Sequence, residues 1–325
     1  MNYLKTYLPH LFGNQEGKSY VLPDNLDWSA LSFEELLMFH TLYNSLDSFT
    51  KTLDLKTLTN QQVFHLFSFK KFLSKDFLNA LISHYKNEYG WFLTATNADV
   101  LTIQEVQEIL NYKTYVLTLY AVFNPDRTRP GRLFVKNNHG QFVHRKDGSV
   151  WSIPVLGLSS RGLPFNHSNG TTPTGIYSID SVMPEANNTA EFGVHRRLIV
   201  NFIKQTENEE AMLQLMPRSL HAHSWWKPCV VGREMGRSLL RIHGTGAVNK
   251  NPFSPHYPMI PSSGCLTTTE KKRLGLFKIE HQRELLDTLM TSLELPKTFE
   301  NESKIHGLLY VIDFDGTYQT LEFKS

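Results

Sequence analysis

The sequence predicts an α+β protein in which a helical amino-terminal domain precedes a mostly β domain, and three observations carry that expectation. Capping boxes at Ser32-Phe33-Glu34-Glu35 and at Thr102 to Glu105 open stretches whose apolar residues recur at helical spacing. A polar segment with two prolines and a glycine, Asn124-Pro125-Asp126-Arg127-Thr128-Arg129-Pro130-Gly131, then marks a change of texture. Beyond it the chain runs in short β-like pieces, with Asp147-Gly148 and Asp315-Gly316 as hairpin signals between them.

Taken in order, residues 1 to about 30 read as irregular, with Pro9, Gly13, Gly17, Pro23 and Asp24-Asn25 as breakers. The first helix follows Ser32 and carries Leu36, Leu37, Phe39, Leu42, Tyr43 and Leu46 near the helical period. A second starts near Thr59, with Val63, Phe64, Phe67 and Phe72 on one face, and a third runs from about Ser74 to Tyr89. A fourth begins at Thr102 with Ile103, Val106, Ile109 and Leu110 as its apolar stripe. These stripes are core faces rather than a ligand groove. Tyr115 to Phe123 is apolar nearly throughout and fits either buried helix or strand. The expected organisation is a helical accessory domain over 1–124, a linker over 125–131 and a second domain over 132–325. In that second part the strand candidates are 141–143, 150–153, 154–158, 175–179, 198–203, 308–314 and 318–323, and one helical region lies between Thr268 and Leu295, broken near Gly275.

Composition bounds the function. A chain of 325 residues with 41% hydrophobic and 20% charged content buries a real core, and its formal net charge of +2 gives no basis for nucleic-acid binding. No apolar run approaches the roughly 18 residues of a membrane span. The two cysteines, Cys229 and Cys265, cannot build a disulfide framework, and with no CxxC pair a structural zinc ribbon is excluded. No metal or cofactor is expected. The first residues, MNYLKTYLPHLFGNQ, hold a short broken apolar segment and lack the apolar core of about 7–15 residues of a secretory signal.

The chemistry concentrates between Leu239 and Thr269. Leu239-Leu240-Arg241-Ile242 reads as a strand that ends on His243-Gly244, and a loop rich in Pro, Asn and Ser then closes on Ser262-Ser263-Gly264-Cys265. Thr267-x-x-Glu270 has the pattern of a helix start, which would place Cys265 just before a helix whose electropositive end favours the thiolate. Gly264 permits a tight turn whose amides could face a developing oxyanion. A lone cysteine is more often a small buried hydrophobe, and a histidine at a strand end is more often a satisfied polar group. Here both stand next to glycine, on either side of one loop.

His243-Gly244-Thr245 followed by Ser262-Ser263-Gly264-Cys265-Leu266 resembles the active-site signature of L,D-transpeptidases of the YkuD type. Thr172-Pro173-Thr174-Gly175-Ile176-Tyr177-Ser178-Ile179 resembles a second hallmark of that family, and the two occur in the family's order. The resemblance covers roughly residues 132 to 325 and implies an L,D-transpeptidase-like catalytic domain there. It implies Cys265 as nucleophile, His243 as the base that activates it, and the Gly244 carbonyl as the group that holds the imidazole. It also implies an oxyanion hole from the amides at Gly264 and Cys265. Ser262 and Ser263 complete the block, with Ser263 where many members have histidine. Thr267 departs from the family, which usually has Arg or Asn two places after the cysteine.

The implied substrate is a peptidoglycan stem peptide, whose acyl-enzyme meets an amine in a 3→3 transpeptidation. Water in place of the amine would give L,D-carboxypeptidase action, and a wall-binding module without catalysis is the reading from another class. The helical domain would then contact a protein or glycan, or only pack against the catalytic half. The cell envelope is the compartment the resemblance implies, and the first residues favour the cytoplasm instead. Arg233, Arg237 and Arg241 are candidates to clamp a substrate carboxylate, although each taken singly is better read as an ordinary surface charge. His221-Ala222-His223 would suit zinc only with a carboxylate motif beside it, and Cys229 lacks a helix start and reads as structural.

Overall fold

The computed structural model describes residues 3–12, 21–95, 99–185, 188–204, 209–273 and 276–323. The protein is α+β. Its helical part comprises α1 (Tyr3–Phe12), α2 (Phe33–Leu42), α3 (Leu46–Thr50), α4 (Asn60–Ser68), α5 (Lys75–Ala95) and α6 (Ile103–Asn111). Ser32, Thr59 and Thr102 each close a reciprocal capping box at the start of α2, α4 and α6. The irregular start expected over 1–30 is instead helical across α1, despite Pro9 inside it. Packing outweighs the breaker, because the Tyr3 and Tyr7 rings lie 5.3 and 5.4 Å from that of Phe39 on α2. Gly13 and Gly17 lie outside the described residues.

The remainder is built on one mixed sheet of eight strands. In chain order its strands are β1 (Thr118–Phe123), β2 (Gly131–Lys136), β3 (Ser152–Val155), β4 (Gly175–Val182), β5 (Leu198–Phe202), β6 (Leu240–His243), β7 (Leu266–Thr267) and β10 (His306–Asp313). Their spatial order is β3-β2-β1-β10-β4-β5-β6-β7, and β8 (Glu270–Arg273) pairs with β9 (Leu276–Glu280) as a separate hairpin. Among the described residues, β1–β10 and β6–β7 are the sheet's parallel strand pairs. Short helices α7 (Thr189–Phe192), α8 (Glu210–Leu213) and α11 (Phe299–Glu302) decorate the sheet, and α9 (Lys227–Glu234) and α10 (His281–Ser292) pack on it. No helix is long and apolar enough to cross a membrane, among the described residues.

The apolar segment before Phe123 is thus a strand, and it sits mid-sheet between β2 and β10. The segment expected to link two domains is the β1–β2 hairpin connection, so a boundary after residue 124 cuts the sheet. Two prolines and a glycine suit either role, and the tertiary contacts decide. Arg127 is buried there, its guanidinium on the Asp313 carboxylate at the end of β10 and 4.1 Å from the Phe123 ring. Two cores result. One unites α6, the sheet and α10, while the other unites α1 to α5 with Leu163, Val231 and Met235 from the sheet side. The strand expected over 318–323 is a 3-10 turn at Tyr318–Thr320, whose neighbour Phe323 packs its ring on Phe134 and Phe142.

Candidate active site

Strand β6 alternates apolar and polar residues, so Leu240 and Ile242 turn one way while Arg241 and His243 turn the other. Its register with β7 pairs Ile242 with Leu266 and His243 with Thr267. Cys265, one residue before Leu266, therefore continues the polar side next to Arg241 and lies diagonal to His243. His243, Thr267, Arg241 and Cys265 all line one cavity of about 910 Å³. Two residues 22 apart in sequence are brought to adjacent strand ends by a single loop.

The His243 ring is buried, and its Nδ1 lies 2.6 Å from the Gly244 carbonyl oxygen. That contact requires Nδ1 to carry the proton, which leaves Nε2 as the basic nitrogen. Burial pushes the imidazole down to about 4, against the opposing pull of the Gly244 carbonyl and with help from the Arg197 charge. The Phe192 ring stands edge-on to His243 at 5.0 Å. Burial also pushes the Cys265 thiol up, while the Arg241 amide and the guanidinium groups of Arg241, Arg237 and Arg197 pull it down. At rest the cavity holds a thiol, donating to Leu239 O (3.8 Å), and a neutral imidazole.

The helix expected directly after Cys265 is absent. Leu266-Thr267 is a strand, Glu270 opens the β8–β9 hairpin, and α10 begins only at His281. Gly275, the expected break, lies outside the described residues. The Thr267-x-x-Glu270 pattern is spent on other partners. The Thr267 hydroxyl donates to the Ile260 carbonyl (2.9 Å), and Glu270 accepts from the Val194 amide (2.9 Å). Glu270 packs between two glycines, since a Cβ at Gly244 would lie 2.1 Å from its Oε1 and one at Gly193 would lie 2.4 Å away. The thiol therefore owes nothing to a helix dipole.

Backbone geometry around the thiol is set from the Thr-Pro-Thr-Gly turn. Thr172 donates its hydroxyl to the Gly264 carbonyl (2.9 Å), and Gly264 takes a φ of +105°, which disfavours any side chain. A Cβ there would also meet Gly170 O at 2.8 Å. Among the described residues neither the Gly264 nor the Cys265 amide has a hydrogen-bond acceptor, so both are available to an anion. Ser262 donates its hydroxyl to the Cys265 carbonyl (2.6 Å), and its own amide bonds Leu158 O (3.2 Å). Ser263 is exposed on the cavity wall.

The three candidate arginines separate. Arg233 is taken by Glu209 and Glu234 at 2.8 and 2.9 Å. Arg237 braces the 165–171 loop by donating to the carbonyls of Phe165, Gly170 and Thr171. Arg241 spends one nitrogen on Leu240 O (2.6 Å) and faces the cavity. Sequence reasoning missed Arg161 and Arg197, which line the same cavity. Arg197 precedes β5, where Leu198 faces Ile242, so the register carries it to His243. Alternation with Leu198 was its one sequence signal, and Arg161 had none.

Cys229 lies in the first turn of α9, contrary to the expectation that no helix starts there. It is buried with its thiol pushed up to about 12 by desolvation, and a Cβ at Gly175 would lie 2.4 Å from its sulfur. His221 and His223 follow a 3-10 turn rather than lying on a strand, and His223 Nε2 is 3.7 Å from Glu105. No group of three or more His, Cys, Asp or Glu side chains is set to hold a metal, among the described residues. No family model matches the chain, and neither a curated protein nor a solved structure matches it.

Proposed function

We propose that the protein is a cysteine acyltransferase of the L,D-transpeptidase kind, acting on peptidoglycan stem peptides. The observation that supports the reading is the shared face of β6 and β7, which puts Cys265 in one cavity with an imidazole held by the Gly244 carbonyl. The Cys265 sulfur attacks the carbonyl carbon of the scissile amide while its proton passes to His243 Nε2. The C–O bond becomes an oxyanion, which the Gly264 and Cys265 amides receive. The carbon–nitrogen bond then breaks, the leaving amine takes the proton from His243, and a thioester remains on Cys265. An acceptor amine attacks that thioester, gives its proton to His243, and the sulfur leaves as thiol once that proton returns.

The resemblance of His243-Gly244 and Ser262 to Leu266 to the family signature supports the substrate class, as does the cationic cavity. Arg161, Arg197 and Arg241 line the cavity that holds the thiol, and a stem peptide carries free carboxylates that such a cationic wall attracts. Incubating the protein with a disaccharide-tetrapeptide and analysing products by mass tests the reading. Loss of the terminal D-residue in the parent, and none in Cys265→Ala, is the expected result. Turnover by Cys265→Ala, or none by the parent, would end it.

A further inference from the structure

A second cavity of about 300 Å³ lies where the helical layer meets the sheet. It shares Ser168 and Gly236 with the larger cavity, so the two are adjoining chambers. Their charges are opposite. Arginines line the larger one, whereas Glu34, His65, Gln61 and Gln62 supply most of the polar lining of the smaller, with no lysine or arginine.

Glu34 is buried in the first turn of α2, where the helix end favours a carboxylate. Its two oxygens accept from His167 Nδ1 (3.4 Å) and from the Ser168 hydroxyl (3.2 Å). His167 is itself fully buried, its ring 3.8 Å from that of Phe12, and burial holds its imidazole below the usual range. Both donors are thus neutral, and no lysine or arginine is paired with Glu34 among the described residues. His65 is 7% exposed and lines the same chamber, and its Nδ1 has no hydrogen-bond partner among the described residues. A buried carboxylate without a counter-charge, beside an imidazole nitrogen without a partner, suits a ligand that brings positive charge and several N–H donors. A primary ammonium does both.

We infer that the smaller chamber binds a primary ammonium, so that the helical layer supplies a subsite for an amine-bearing peptide arm while the arginines next door take carboxylates. Only the identification of that arm as part of a substrate rests on the acyl-transfer reading.

Binding without turnover separates the two. Titrating Nα-acetyl-D-lysine and Nα,Nε-diacetyl-D-lysine into the Cys265→Ala protein, followed by NMR, compares probes that differ in the side-chain ammonium alone. The mono-acetyl probe should bind at least about tenfold more tightly. Glu34→Gln keeps the shape and removes the charge, and it should abolish the difference. Gln61→Lys, at an exposed position on the chamber wall, should do the same by placing a cation there, and it keeps the test open if Glu34→Gln melts early. Equal affinities in the parent, no binding of either probe, or a preference that survives both substitutions would overturn the inference. Discrimination in a protein that never acylates a stem peptide would retain the ammonium site and sink the transferase reading instead.

Discussion

His243 Nδ1 and the carbonyl oxygen of Gly244, its own neighbour in the chain, lie 2.6 Å apart. The contact fixes the tautomer with no acidic partner, so the imidazole gains no compensating charge and burial dominates. Its titration falls from 6.5 to about 4. On the proposed reading neutral His243 acts as the base, and that form predominates above the folded value. Acylation should therefore stay level from neutrality down to about pH 5.5 and fall on approaching pH 4, where an exposed histidine would lose half its base near 6.5. Stability has the same sign. Between 6.5 and about 4 the unfolded chain binds a proton here that the folded one does not, so this residue costs stability as pH falls through that window. His243→Gln should slow acylation by roughly 10²–10⁴-fold with donor affinity little changed. A pH–rate profile centred near 6.5 would contradict the assignment.

The two thiols should separate cleanly under chemical probes. Cys265 lines the large cavity, whereas Cys229 is sealed against Gly175. Iodoacetamide should label Cys265 in the folded protein and reach Cys229 only after unfolding. A carbapenem, which mimics the acyl donor of the family that the signature resembles, should add once to the intact mass, at Cys265. Cys229→Ala should retain activity and cost about 1 kcal/mol or somewhat more from the small cavity left. An adduct on Cys229 alone would reverse the roles.

Gly244 is held to glycine by its neighbour rather than by its own backbone angles. A Cβ there would lie 2.1 Å from Glu270 Oε1 and 2.9 Å from Glu270 Cγ, and the displaced carbonyl is the one that orients His243. Gly244→Ala should destabilise by on the order of 1–3 kcal/mol and lower kcat more than it raises KM. Removing the obstacle should help. The double variant Gly244→Ala, Glu270→Ala should turn over faster than Gly244→Ala alone, because the two residues share one contact. Simple additive loss in the double variant would show that the clash is not what limits the single one.

That Glu270 contact also marks where sequence reasoning stops. The strand that ends on His243 and the loop that returns the chain to Cys265 were legible because alternation and flanking glycines are local signals. The three capped helices were legible for the same reason. Thr267-x-x-Glu270 matched a helix start equally well, yet Glu270 is drawn to Gly193, Gly244 and the Val194 amide, all distant in sequence. The β1–β2 hairpin read as a linker because its tie, Arg127 to Asp313, spans most of the chain that follows it. Arg161 and Arg197 reach the cavity only through sheet register and loop packing, which no local pattern encodes.

If Cys265 carries a thioester as proposed, what resolves it depends on whether an amine can be held beside it before water arrives. The 247–261 loop ends on Ile260 and Pro261 in the cavity wall, and it is bonded within itself. Asn249 donates its amide to Pro258 O (2.9 Å), Met259 donates to His256 O (2.7 Å), and Met259 is buried. An ordered wall loses little entropy when an acceptor binds against it, which favours transfer to the amine. Raising the acceptor concentration should therefore raise the cross-linked product to saturation and depress the tripeptide in step. Thr267→Ala removes the hydroxyl bond to Ile260 O and loosens that wall. Losing one such bond, worth about 1 kcal/mol, should lower the ratio of cross-link to tripeptide roughly fivefold while the acylation rate stays nearly constant. Mass analysis of products across an acceptor series measures both. Tripeptide as the whole output, even with acceptor in excess, would mean that the protein trims stem peptides as an L,D-carboxypeptidase.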